Sequence, residues 1–224
     1  MLIDFVDLIG KKIEVELSGG NFHKGILVDS GLDIIVIYNN KNHSYFYIPF
    51  NHVQRLKETS LEEEDLNNNP PAEKPIETDV ISFRKALTVA KGLFTQIYVT
   101  GDKSIHGYIT SIMNNYFVFH SPVYKSMFIS MNHVKWLIPY SPNTTPYSLD
   151  KENLPLVPIS TPLARSFDEQ LKRLENQLVI IDGGDQTEKI GVLQKIRNNK
   201  ITLITADGER VYRNVEHIKT INLP

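Results

Sequence analysis

The chain has 224 residues, a formal net charge of −2 and 22% charged residues, so its totals exclude a whole-molecule electrostatic case for nucleic acid or an anionic membrane. It contains no cysteine, which removes disulfides, thiolate zinc sites and a cysteine nucleophile. The N-terminus lacks a basic segment followed by an apolar run, and no stretch reaches the length of a membrane-spanning helix, so a soluble protein synthesised in the cytoplasm is expected, with no membrane partner.

In chain order, residues 1–57 open with a helical pattern from Asp4 to Gly10. A strand follows, in which Ile13, Val15 and Leu17 alternate with Glu14, Glu16 and Ser18. Turn residues Ser18-Gly19-Gly20-Asn21 lead to a strand carrying Gly25, and Ser30-Gly31 to the β-branched run Ile34-Ile35-Val36-Ile37. A fourth strand, Tyr45-Phe46-Tyr47-Ile48, reaches Asn51-His52-Val53 and a short fifth. Residues 58–81, with Glu62-Glu63-Glu64-Asp65 and Pro70-Pro71, read as an acidic flexible linker. Residues 82–138 repeat the pattern: a helix N-capped by Ser82 and stopped at Gly92, a Gly101-Asp102-Lys103 turn, Gly107, an Asn114-Asn115 turn, Tyr116-Phe117-Val118-Phe119, Met127-Phe128-Ile129, and Asn132-His133-Val134. Residues 139–165 hold six prolines and read as an extended tether, pinned by Leu154, Leu156, Val157 and Ile159. Residues 166–224 repeat it again. Ser166 and Glu169 form a capping box, and Phe167, Leu171 and Leu174 share a helix face. A strand through Leu178-Val179-Ile180 reads as buried on both faces. Asp182-Gly183-Gly184-Asp185 reads as a hairpin turn, and Gly191, Ile201-Thr202-Leu203-Ile204, Arg210-Val211-Tyr212 and Glu216-His217-Ile218 follow.

The punctuation is regular. Gly25, Gly107 and Gly191 lie 82 and 84 residues apart, and His52, His133 and His217 follow them after 26 or 27 residues. Three copies of one mostly β module are therefore expected, each a short helix and five short strands. A flat sheet of this size leaves its edges open, so curling into a small five-stranded SH3-like barrel is expected, with the repeated glycine at a bend in the second strand. A core this small is marginal alone, so docking between modules or chains is expected.

Helix, five bent strands and a histidine turn between the last two strands resemble the Sm-like fold, including the Hfq family of RNA chaperones. In that family a Lys-His pair in the turn helps bind uridine-rich RNA. Here the turns read Phe50-Asn51-His52-Val53, Met131-Asn132-His133-Val134 and Val215-Glu216-His217-Ile218: the histidine is kept and the lysine is replaced by Asn51, Asn132 and Glu216. Losing that cation three times weighs against RNA binding of this kind. The triple array, with its Gly-Gly turns, glycine-bearing strands and endings such as His217-Ile218-Lys219-Thr220-Ile221, resembles the outer spore coat protein family CotB of spore-forming bacilli. The Ser/Lys/Arg-rich tail of that family has no counterpart in these residues, so no role of such a tail carries over.

His52, His133 and His217, with Asn51, Asn132 and Glu216, are the candidate turn or interface residues. Imidazoles at such turns chiefly satisfy backbone groups. None has a second ligand at metal spacing, so no metal is expected. The aromatics Tyr116, Phe117, Phe119, Tyr124 and Trp136 are candidates either for base stacking or, given their alternation, for core. No catalytic set and no cofactor motif stands out. The expectation is a non-enzymatic assembly protein, acting through barrel-barrel contacts and pairing of fourth and fifth strands, with other coat proteins as further partners on the spore surface. Two chains would supply a six-module ring. The alternative is RNA or DNA binding on another face of the barrel.

Overall fold

The computed structural model describes residues 5–60, 70–71, 73–100, 103–141, 144, 146–148 and 162–224, with Thr100 and Lys103 as backbone alone. The acidic run Glu62-Glu63-Glu64-Asp65, the Gly101-Asp102 turn and Leu154, Leu156, Val157 and Ile159 of the second linker lie outside the described residues.

The fold is mostly β, and the strand pairings among the described residues are antiparallel. The first module contains β1 (Lys12–Leu17), β2 (Asn21–Ser30), β3 (Ile34–Asn39), β4 (Ser44–Pro49) and β5 (Val53–Glu58). The second contains α1 (Phe83–Val89), β6 (Phe94–Thr100), β7 (Lys103–Ile112), β8 (Tyr116–Ser121), β9 (Lys125–Ser130) and β10 (Trp136–Pro139). The third contains α2 (Phe167–Arg173), β11 (Leu178–Ile181), β12 (Ile190–Arg197), β13 (Lys200–Ile204), β14 (Arg210–Asn214) and β15 (Thr220–Asn222).

Contacts divide the chain into two compact units, Met1–Tyr98 with Val134–Thr144, and Val99–His133 with Thr145–Pro224. The sequence repeats three times, and the division falls inside the second repeat. In the first unit the strands run β6-β10-β4-β3-β2-β1-β5. Its core is formed by Ile13, Val15, Leu17, Leu27, Ile35 and Ile37 with Trp136 and Ile138 of β10. In the second unit the order is β7-β8-β9-β15-β11-β12-β13-β14. There Phe167 and Leu171 of α2 pack with Tyr116, Phe128, Leu193 and Ile221.

This arrangement explains why the small modules are open sheets. In the first module β4 pairs with β10 and not with β5, and in the third β15 pairs with β9 and not with β14. The edges are covered by a neighbouring module in place of curling shut. Full coverage also explains why β8 is buried at all six positions and reads as a continuous apolar run.

The second strand bends the same way in each module. A Cβ on Gly25, Gly107 or Gly191 would lie 2.2, 2.1 or 2.2 Å from a carbonyl oxygen of the neighbouring strand, that of Tyr38, His120 or Ile204. A side chain there would displace the ladder itself. A register shift follows three residues on, at Leu27/Asp29, Ile109/Ser111 and Leu193/Lys195. Such bulges kink a strand and increase its twist.

Several local expectations change. Of the helix expected from Asp4 to Gly10, Asp4 lies outside the described residues, and Val6–Leu8 forms one 3-10 turn followed by Gly10 at φ 85°. α1 begins at Ser82, whose hydroxyl accepts from Lys85 N, but it ends at Val89, before Gly92. Ser166 makes no capping bond to an α2 amide; its hydroxyl donates to Asp168 and holds that carboxyl below the usual range. β11 is not buried on both faces, since Leu178 is 48% exposed while Val179 and Ile181 are buried. Asp182–Gly184 and Thr187–Lys189 form two 3-10 turns, so the β11–β12 connection is longer than a tight hairpin.

Candidate functional site: the joints between modules

The three repeated histidines each close a 3-10 turn: Phe50–His52, Met131–His133 and Val215–His217. The first amide of each turn donates to a carbonyl in its own module's β-turn, that of Asp33, Asn115 or Asn199, at 2.9 Å. The turns are thus built alike, but their imidazoles differ. His52 Nδ1 lies 3.1 Å from Ser18 Oγ, and Ser18 N donates to His52 O, tying the turn to the end of β1. His133 Nε2 donates to the carbonyl of Glu216 at 2.7 Å, which links the second module's turn to the third's. Burial lowers the His133 pKa from its ordinary value. His217 is exposed. Asn51 and Asn132 sit at the turn centres, and Glu216 N donates to Asn214 Oδ1 at 3.0 Å. Among the described residues no group of three His, Cys, Asp or Glu is placed to hold a metal.

What the turns flank is a repeated joint. In the first unit Leu137 of β10 pairs with Tyr47 of β4. In the second, Thr220, Ile221 and Asn222 of β15 pair with Ile129, Phe128 and Met127 of β9. Counted from the turn histidines, Leu137/Tyr47 and Ile221/Phe128 are the same pair: four residues after one histidine, five before the other. All four side chains are fully buried.

A second contact repeats beside the strands. Asp33 Oδ1 accepts from Phe83 N at 2.7 Å, and Asn115 Oδ1 accepts from Phe167 N at 2.8 Å. Next to them Leu32 N donates to Ile81 O and Asn114 N to Arg165 O. Each β-turn therefore caps the helix of the following module, satisfying amides that the helix leaves unpaired. These capping residues were not singled out in the sequence, although the turn signal at Asn114-Asn115 marked the place. The sequence marks Asp182 only as part of a turn; its Oδ1 accepts from both Lys219 N and Thr220 N and fixes the start of β15.

The first unit's joint is lined by aromatics. Trp136 stacks on Tyr98 at 4.0 Å and meets the edge of His23 at 4.4 Å, while His23 lies 4.7 Å from Phe46. Lys135 Nζ donates to Ser18 O at 2.6 Å and sits over the Tyr98 ring. A cleft of about 900 Å³ opens beside Trp136, between His43, Tyr45, Lys74 and Tyr140. Of the candidate stacking rings, Tyr116, Phe117 and Phe119 are fully buried, Trp136 is 7% exposed, and Tyr124 alone offers a third of its surface.

Comparison with known proteins bears on the same modules. The YwrJ third-domain family matches residues 166–221. A protein of Bacillus subtilis (strain 168), described as uncharacterized protein YwrJ, is 45% identical over 216 residues, which is 95% of each chain. The chain belongs to the YwrJ family. The YwrJ third-domain match begins at Ser166, the N-cap of α2, and ends at Ile221, the joint residue paired with Phe128. The features described inside that YwrJ match are joints, caps and turns.

Proposed function

We propose that this protein is a non-enzymatic structural component that self-associates and assembles through strand-edge and barrel-barrel contacts. In line with the resemblance of its triple array to CotB, the reading is a coat or coat-associated protein, made in the cytoplasm and placed on the spore surface. Other coat proteins are its further partners, and two chains supply a six-module ring. The observation that carries this reading is the repeated joint: a fourth strand joined to the next module's fifth strand twice, at one register. The burial of Tyr116, Phe117 and Phe119 supports it as well, because rings used as core are not available to stack bases.

The test is a titration of the full chain with uridine-rich and adenine-rich RNA at two salt concentrations, with the assembly mass measured alongside. Self-association without salt-sensitive RNA binding is expected. Tight binding that weakens steeply with salt would replace this reading with a nucleic-acid one.

A further inference from the structure

The joint pair has three copies in the sequence and two partners in the chain. Five residues before each turn histidine stands an aromatic: Tyr47, Phe128 and Tyr212. Four residues after each stands an aliphatic: Leu56, Leu137 and Ile221. Tyr47 and Phe128 are fully buried against Leu137 and Ile221. Tyr212 of β14 is 67% exposed, the most open of the large apolar side chains among the described residues. Leu56 of β5 is partly buried at its module's edge. β14 and β5 close the strand orders of their units, and among the described residues β14 pairs only with β13 and β5 only with β1.

We propose that β14 of one chain pairs antiparallel with β5 of a second copy, head to tail, with Tyr212 opposite Leu56. This rests on the assembly reading and names the partner and register of its contact. The occupant is a second copy because each open strand keeps half of the residue pair that the chain uses internally. Such an interface is heterologous, so every chain presents one donor edge and one acceptor edge. The same spacing puts His217 beside the Asn51 carbonyl of the second copy, as His133 stands beside that of Glu216. It also puts Arg55 opposite Arg213, where the internal joint of β15 and β9 has Thr220 opposite Ile129. Arg55 is held by Glu16 at 2.9 Å and Glu14 at 3.5 Å, and Arg213 by Glu188 at 3.5 Å. Like charges directly opposite weaken a strand pair, so this third joint is weaker than the other two and reversible. It tightens with salt.

The absence of native cysteine makes a clean test. Full-length Leu56→Cys and Tyr212→Cys chains are mixed and oxidised, with Leu56→Cys plus Val211→Cys as a pair displaced by one residue. A mixed 56–212 disulfide is expected and the displaced pair stays reduced. Arg213→Ile, restoring the type of residue found at Ile129, lowers the dissociation constant about fivefold. A preference for the displaced pair, or association of the unsubstituted chain without the 56–212 disulfide, overturns the register and leaves the assembly reading standing. A monomer at high micromolar concentration for both the unsubstituted chain and Arg213→Ile overturns the joint. The RNA titration separately decides the assembly reading.

Discussion

At the scale of single residues, the repeated glycine and histidine were both legible, for different reasons. Glycine is legible because its role is steric: at Gly25, Gly107 and Gly191 the next strand's carbonyl occupies the space a Cβ would need. The histidine marks its turn, but its sequence does not say which group the imidazole meets. His52 finds a serine of its own module, while His133 finds a carbonyl of the next. His23 carried no signal at all, being one polar residue in an alternating strand. It is packed against Phe46 and Trp136, and burial pulls its pKa from the ordinary 6.5 to about 4. Lys24 and its partner Glu14 lie on the other face of the ladder by strand alternation. A neutral imidazole that resists protonation in the fold gains its proton more readily when unfolded. Its contribution is therefore intact above pH 6.5 and is lost as pH falls toward 4, by up to ~3 kcal/mol. His23→Phe is expected to flatten that part of the stability profile, read as the urea midpoint at pH 7 and pH 4.5. An unchanged slope would place the acid sensitivity elsewhere.

At the scale of elements, strands and their order within a module followed from alternation and turn residues, whereas the helix starts followed only in part. Ser82 caps α1 as its sequence suggests. Ser166 has the same local pattern, strengthened by Glu169, yet the amide of Phe167 is satisfied by Asn115, 52 residues upstream. A local capping rule cannot see that acceptor, because it belongs to the preceding module, and the Ser166 hydroxyl itself is taken up by Asp168. The consequence is measurable. Asn115→Ala removes a cap and one half of a module joint, and is expected to cost about 1 kcal/mol of stability. Ser166→Ala is expected to cost less, since its hydroxyl serves Asp168 and no helix amide. Chemical denaturation of the two variants ranks them, and the reverse order would restore the capping box as the governing interaction.

At the scale of the whole molecule, the threefold repeat was evident from spacing, but the two compact units were not. The reason is physical. Three similar modules present three similar sets of fourth and fifth strands, and side-chain alternation is the same whether a strand pairs within its module or with the next. Only the tertiary arrangement selects the partner. In the second unit that choice makes the third module part of the second's fold. β15 covers Met127, Phe128 and Ile129, which are 1%, 0% and 0% exposed, and α2 shares a core with Tyr116 and Val118. A chain of residues 1–165 would keep every strand of the first two modules but lose that cover. Were the modules autonomous, it would unfold cooperatively and stay soluble, with two thirds of the structure intact. The shared core predicts otherwise. The fragment exposes an apolar edge of the kind that recruits other strands, and it is expected to aggregate at concentrations where the full chain is soluble, losing its cooperative thermal transition. Adding residues 166–224 as a separate fragment is expected to restore solubility, because β15 and α2 supply the missing half of the joint. A soluble, cooperatively folding 1–165 chain would show that the repeats, not the shared cores, are the folding units.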